Sequence, residues 1–192
     1  MIKLISCLSL LMTISLPVAA FECYQASPTA EALEDEYQNN DNSFSISGDE
    51  KELQFLKDLK GKWQGTGEEI SCKGTESHPE KISKTMNVEA DVIENGIVLF
   101  RAKLEKNFPA EGISRSDDIG LINTDSLYSL SVNGRNVEAN QREFASNGAN
   151  AGVRYLEYMI RIQAPSDNNI NIEWDMFTNG VYVFTQKLNL TR

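Results

Sequence analysis

Apolar and polar residues alternate with a period of two in five separate stretches of the chain. In the first stretch, for example, Met86, Val88 and Ala90 alternate with Asn87 and Glu89. This pattern is typical of antiparallel strands that bury one face and expose the other. The five stretches are residues 82–92, 98–104, 156–162, 170–176 and 182–190.

Three Asn-Gly pairs, at 95–96, 133–134 and 179–180, are strong signals for β-hairpins. The alternation selects the loop length, because a slip of one residue turns every side chain to the other face. At the last pair it predicts a three-residue loop that places Tyr182 opposite Met176. At the first pair it predicts a three-residue loop that places Val98 opposite Val92.

Counting strands from Lys62 onward gives about eight, joined mainly by connections between neighbours. Eight antiparallel strands in up-and-down order can close into a barrel, which removes exposed edges. A two-layer sandwich is the alternative, but it needs long crossing connections, for which only 105–126 and 144–152 are long enough. The sequence therefore predicts an all-β fold, an eight-strand antiparallel up-and-down barrel.

A short helix is predicted before the first strand. The spacing of Ser47 and Glu50 is that of a capping box, and Leu56 and Leu59 follow at helical spacing. Gly61 is placed to end the helix. We expect this helix to lay its apolar side over one end of the strands.

The first 20 residues have the pattern of a secretory signal peptide, with cleavage expected after Ala20. Their apolar run, from Leu4 to Leu16, is shorter than the roughly 20 residues that a membrane-spanning helix needs. A membrane anchor is therefore the less favoured alternative, and we expect a periplasmic or secreted protein without a transmembrane segment. Residues 21–48 are expected to form an acidic, partly disordered extension, and 49–192 the helix and barrel domain.

Cysteine usage and charge agree with export. Cys23 and Cys72 remain once Cys7 leaves with the signal peptide. An even pair in an oxidising compartment predicts a disulfide, with two independent thiols as the alternative. The formal net charge of −10 argues against binding to nucleic acid or to an anionic membrane surface.

The stretch Gly61-Lys62-Trp63 opens the first strand, after the short helix and before the antiparallel meander. This arrangement resembles the lipocalin and wider calycin superfamily, over residues 49–192. The resemblance implies that Trp63 packs across the closed end of the barrel, and Arg192 is the candidate for a C-terminal arginine over its ring. Gly65 and Gly67 share the face of Trp63 and would let the strand bend or let another backbone approach closely.

No pattern of residues predicts catalysis, a metal site or a cofactor. His78, the one histidine of the sequence, is assigned to a surface loop. Glu68 and Glu69 are adjacent on a strand and would face opposite sides, so they cannot share a proton. Asp117-Asp118 is assigned to a solvated loop. We therefore expect a non-enzymatic protein.

The interior of an eight-strand barrel is either filled by side chains or holds one small ligand, and the sequence leaves both open. Aromatic residues with a few polar groups are the usual composition of a small-molecule site. We expect a small apolar or amphipathic ligand, with a protein partner that binds the loops and the acidic extension as the alternative. The expected ligand-binding residues are Lys84, Phe100, Tyr128, Arg154, Tyr158, Trp174, Tyr182 and Phe184.

Four inward positions carry polar side chains: Lys84, Gln141, Arg154 and Gln186. A buried Lys84 or Arg154 would need an anionic partner, because burial of an unpaired charge is prohibitive. A ligand carboxylate could supply that charge, and so could Glu157 or Glu138.

Overall fold

The structure is a computed structural model that describes residues 21–28, 45–47, 55–94, 100–123, 125–146 and 153–192. The predicted signal peptide, most of the acidic extension and the predicted helix cap lie outside these residues. Residues 55–58 form a helical turn. The strands are β1 (Ser45–Ser47), β2 (Gly61–Thr75), β3 (His78–Glu94), β4 (Phe100–Phe108), β5 (Ile113–Ile122), β6 (Leu127–Asn133), β7 (Asn136–Ser146), β8 (Val153–Ser166), β9 (Asn169–Thr178) and β10 (Val181–Thr191).

Strands β2 to β10 form one curled antiparallel sheet, a half-barrel in which β10 pairs with β2. The order is β1-β6-β7-β8-β9-β10-β2-β3-β4-β5, with β1 parallel to β6. Since every pair from β6 round to β5 is antiparallel, β5 and β6 run in the same direction, and only residues 123–126 separate them. β5 and β6 therefore follow one another along the same side of the half-barrel. The predicted all-β, up-and-down class is confirmed, although nine described strands take the place of eight.

Two glycines of β2 allow the sheet to curl where β2 meets β10. A Cβ atom added to Gly65 would lie 2.0 Å from the backbone oxygen of Asn189. One added to Gly67 would lie 2.8 Å from the backbone oxygen of Lys187. Any side chain at these positions would force the two strands apart. The close approach of another backbone, expected from the sequence, is confirmed.

Trp63 lies at the end of the half-barrel next to the helical turn, and its ring is buried. Its indole nitrogen donates a hydrogen bond to the backbone oxygen of Leu59, at 2.9 Å. The guanidinium carbon of Arg192 lies 4.0 Å from the centre of a ring of Trp63. The same guanidinium group donates a hydrogen bond to the backbone oxygen of Asp58. The helical turn, Trp63 and the last residue of the chain therefore form a single plug.

The N-terminal segment, residues 21–28, lies against the outer face of β9 and β10. The ring of Phe21 is 5.1 Å from that of Phe177 and 5.5 Å from that of Tyr182, centre to centre. Both of these strand residues are fully buried. The segment therefore gives the outer side of the sheet a small apolar layer of its own.

A disulfide between Cys23 and Cys72 anchors the N-terminal segment to β2, which confirms the predicted bridge. The hydroxyl of Tyr24 donates a hydrogen bond to the backbone oxygen of Gly74, at 3.1 Å, a short distance along the same strand. No helix in the described ranges is long and apolar enough to cross a membrane.

The turn between β9 and β10 differs from the prediction. It has two residues, Asn179 and Gly180, with positive φ angles of 51° and 79°, instead of three. A bulge before Phe184 then turns the side chain of Phe184 to the inner face, so Phe184 rather than Tyr182 lies opposite Met176. The predicted inward position of Tyr182 is therefore wrong, because the bulge leaves Tyr182 on the outer face.

The connection between β3 and β4 is longer than predicted. Val92 lies opposite Ala102 rather than Val98, and residues 95–99 lie outside the described part of the chain. The partner of Val92 changes by an even number of residues, so the same side chains of each strand remain on its inner face. Apolar side chains of both strands therefore still face the interior, as the alternation predicts.

Candidate functional site

Three aromatic side chains line the inner face where β8, β9 and β10 lie side by side. The rings of Tyr158 and Trp174 are stacked, with centres 5.4 Å apart and planes 25° apart. The ring of Phe184 meets Trp174 edge-on, with centres 6.0 Å apart. All three were predicted ligand residues, and the structure brings them together. Diagonal neighbours on adjacent strands are close enough for aromatic contact, which explains the cluster.

Tyr158 and Trp174 border a cavity of about 420 Å³ at the gap between β5 and β7. This volume falls within the usual range for small-molecule sites, roughly 300–1,000 Å³. The cavity gives the aromatic wall an opening to the outside. The lining residues are Arg101, Asp118, Ile119, Gly120, Asn123, Asp125, Gln141, Glu143, Tyr158 and Trp174.

Gln141 of β7 bridges the gap between β7 and β5. Its amide nitrogen donates to the backbone oxygen of Gly120, at 3.1 Å, and its amide oxygen accepts from the backbone nitrogen of Asn123, at 2.7 Å. These bonds take the place of a backbone ladder, which is absent between the two strands. Gln141 was predicted as an inward polar residue, and its buried side chain holds the rim of the cavity together.

Two polar atoms beside the aromatic wall have no hydrogen-bond partner among the described residues: the indole nitrogen of Trp174 and the amide oxygen of Gln186. Gln186 lies directly opposite Trp174 in the pairing of β9 with β10, and its side chain is almost completely buried. Buried polar atoms are nearly always hydrogen-bonded in folded proteins. Of the two residues, only Trp174 lines the cavity; the amide nitrogen of Gln186 donates to a carboxylate oxygen of Glu69, at 3.3 Å.

An ionic cluster on β2, β4 and β5 combines two buried side chains, Lys106 and Glu69, with two partly exposed ones, Arg115 and Asp117. The side chain of Lys106 is only 1% exposed, and its nitrogen lies 3.2 Å from a carboxylate oxygen of Glu69 and in contact with Asp117. Arg115 donates to the other oxygen of Glu69, at 2.8 Å. Burial raises the pKa of Glu69, but the hydrogen bonds from Arg115 and Lys106 outweigh it, so the pKa is lowered overall. The carboxylate therefore stays charged.

This cluster was not predicted from the sequence. Asp117 lies on β5, not in a solvated loop, because β5 continues the sheet beyond the residues that looked strand-like. The alternation itself could have indicated the two buried members of the cluster. The inward-facing positions of 98–104 continue at every second residue through Lys106 to Phe108, and those that start at Trp63 reach Glu69. The alternation therefore places Lys106 and Glu69 inside, even though both are charged.

Lys84 pairs with Glu111, with 2.8 Å between the amine nitrogen and a carboxylate oxygen, and both side chains are partly exposed. The anionic partner of Lys84 is therefore a residue of the β4–β5 turn rather than a ligand carboxylate. The side chain of Arg154 lies outside the described residues.

The remaining predicted ligand residues lie apart from the cavity. Phe100 is buried in the main core. Tyr128 lies at a bulge of β6, with the guanidinium carbon of Arg142 3.7 Å from its ring centre. Tyr182 packs on the outer face, under Phe21.

No group of three or more His, Cys, Asp or Glu side chains in the described ranges could hold a metal ion. His78 begins β3 and is exposed, and its ring nitrogen contacts the hydroxyl of Ser77 at 3.1 Å. Glu68 and Glu69 contact different partners on opposite faces of β2, Ser83 for the first and Lys106 for the second. The groups around the cavity are aromatic rings, amides, carboxylates and the guanidinium group of Arg101.

No family model matches the chain, and no curated protein matches it. Solved structures of small β-barrels are similar in part. The structure of EF1p2_mFAP2b bound to DFHBI shares 8% identity, covering 73% of this chain and 98% of that one, with a TM-score of 0.41. The redesigned β-barrel mFAP1 bound to DFHBI shares 13% identity, covering 71% and 97%, with a TM-score of 0.33. Similarity at this level carries no information about function.

Proposed function

We propose that the protein is a non-enzymatic binder of one small apolar or amphipathic molecule in its interior. The observation that carries the proposal is the aromatic wall of Tyr158, Trp174 and Phe184, because its first two members border a cavity of about 420 Å³. Stacked rings supply a large apolar surface. Polar groups of the lining, such as the amide of Gln141 and the carboxylate of Glu143, lie around this surface, and small-molecule sites commonly combine an apolar wall with convergent polar groups.

We further infer a distant relationship to the lipocalin and calycin superfamily. The supporting features are the helical turn before β2, Trp63 within the plug, and Arg192 over its ring. Export to the periplasm or the cell exterior is part of the same proposal. The disulfide between Cys23 and Cys72 supports it, because disulfides persist in oxidising compartments.

The test uses the uncharged dye N-phenyl-1-naphthylamine, whose fluorescence rises on transfer to an apolar site. We expect saturable binding of one dye per chain, and at least a tenfold loss of affinity in Trp174→Leu, because half of the ring stack is removed. The control is Phe144→Leu, which alters an aromatic residue that is 69% exposed on the outer face. Thermal unfolding of each variant checks that it is folded. Absence of saturable binding, or equal binding by both variants, would contradict the proposal.

A protein-binding barrel is the second candidate, and one observation favours it. Phe144 is exposed, and its ring contacts that of Tyr155, with centres 5.4 Å apart and planes tilted by 56°. Exposed aromatic pairs are common at the centre of protein interfaces. The acidic residues proposed as part of the contact, 31–41, lie outside the described residues. A partner that binds the wild type and Trp174→Leu equally, but not Phe144→Ser, would favour this function.

A further inference from the structure

The cavity at the gap between β5 and β7 carries an unbalanced negative charge. Arg101 is the one cation among its lining residues, and it lies 3.7 Å from a carboxylate oxygen of Asp118, also in the lining. Asp125 and Glu143 have no ion pair with any described residue. Among the described residues, two carboxylates at the mouth of the site therefore have no ion pair, within a chain whose formal net charge is −10.

One of these carboxylates acts directly on the aromatic wall. Burial raises the pKa of the Tyr158 hydroxyl, and the negative charge of Glu143 raises it further. Glu143 lies opposite Leu156 in the pairing of β7 with β8, which makes it a diagonal neighbour of Tyr158 on the inner face. Glu143, Tyr158 and Trp174 line the same cavity, so a bound group could touch both the carboxylate and the ring stack. A cation over the face of Trp or Tyr is attracted by the ring, most strongly where water is excluded.

The lysine that could have called for an anionic ligand does not do so. Lys84 is paired with Glu111, with 2.8 Å between the amine nitrogen and a carboxylate oxygen, so it needs no ligand carboxylate.

We propose that the ligand is an aromatic or amphiphilic organic cation, which places its apolar part on the Tyr158–Trp174 stack and its ammonium group at Glu143. This inference rests on the proposed function, since it names the chemical class of the molecule bound at the same site. It assigns Glu143 as the residue that selects the charge of the ligand.

The experiment compares three probes that share one ring system and differ in charge: 2-naphthylmethylamine, 2-naphthylacetamide and 2-naphthylacetate. Their affinities are measured by isothermal titration calorimetry. We expect the amine to bind at least tenfold more tightly than the amide, equivalent to about 1.4 kcal/mol, and the acetate to bind most weakly. In Glu143→Gln the amine should lose this advantage. The control is Glu138→Gln, which removes an exposed carboxylate from the opposite face of the same strand and should leave the preference intact.

Each outcome separates this inference from the proposed function. If amine and amide bind the wild type equally, or if Glu143→Gln keeps the preference, the charge assignment is overturned, while dye binding that depends on Trp174 still stands. If neither the dye nor any probe binds, both proposals fail. Should Glu143→Gln not fold, salt provides the second measurement. Raising the ionic strength should weaken the binding of the amine and leave that of the amide unchanged, and an unchanged amine would overturn the inference.

Discussion

Glu157 has no exposed surface, although it points away from the barrel interior. It lies opposite Arg142 in the pairing of β7 with β8, and the hydroxyl of Ser27 donates a hydrogen bond to it at 2.8 Å. Burial raises the pKa of Glu157, and the opposing effects of Ser27 and Arg142 are smaller. The N-terminal segment therefore covers a carboxyl group whose charged form is less stable in the folded protein than in water.

The raised pKa predicts that stability depends on pH at this residue. Above the ordinary value of 4.5, the folded state holds this proton more tightly than the unfolded chain does. The contribution of Glu157 to stability is therefore complete below pH 4.5, and it is lost as the pH rises through the pKa that Glu157 has in the folded protein. We expect Glu157→Gln, measured by urea unfolding, to be more stable than the wild type at pH 8, by a margin that shrinks towards pH 4.5.

The matched control for Glu157→Gln is Glu138→Gln, which neutralises an exposed carboxylate of the neighbouring strand. Its effect on the unfolding free energy should change little over the same pH range. A gain in Glu157→Gln that is equal at every pH would show that packing, and not the charge of the carboxyl group, is responsible.

At the scale of single elements, β2 and β10 approach each other closely at Gly65. We expect Gly65→Ala to lower the free energy of unfolding by at least about 2 kcal/mol, because the added methyl group would lie 2.0 Å from the backbone oxygen of Asn189. The matched control is Gly120→Ala, where the nearest atom would lie at 3.6 Å, an ordinary contact. Urea unfolding of both variants tests this. Equal stability of the two would mean that the strands separate at little cost.

The elements were predictable from the sequence wherever alternation alone determines the structure. The inward-facing residues of β3, β8 and β9 follow from it, and so do two of the three members of the aromatic wall. The burial of Trp63 was instead expected from the resemblance to the lipocalins. Phe184 was placed correctly, but through a register that the structure does not have. The bulge before Phe184 cannot be predicted from periodicity. A two-residue turn followed by a bulge and a three-residue turn both place Phe184 on the inner face.

The burial of the two charged residues of the ionic cluster could not be predicted from alternation alone. Lys106 and Glu69 occupy inward positions by parity, but their charge suggested solvent, since unpaired charges are not buried. Their burial is tolerated because they form ion pairs across three strands. Lys106 pairs with Glu69 and Asp117, and Glu69 also pairs with Arg115. Such a set depends on the register between distant segments, which local sequence does not determine.

At the scale of the whole molecule, the N-terminal segment and the barrel are joined covalently. The disulfide links residues 49 positions apart, Cys23 and Cys72, and so restricts the unfolded chain. For a loop of this length the chain-entropy estimate of the stabilisation is about 4 kcal/mol. We expect the double variant Cys23→Ser/Cys72→Ser to lose stability of this order in urea unfolding, and the wild type to match it in the presence of dithiothreitol. A wild type that dithiothreitol does not destabilise would show that the bridge contributes little.

The interruption between β5 and β6 has a consequence for how fast a bound molecule could leave. Everywhere else around the sheet, parting two strands would break a continuous series of backbone hydrogen bonds. At the gap between β5 and β7, the hydrogen bonds of the described residues come from one amide side chain, from Gln141 to Gly120, Leu121 and Asn123. Rotation of that single side chain would widen the opening that the cavity already has, so an occupant could leave without any unfolding of the protein.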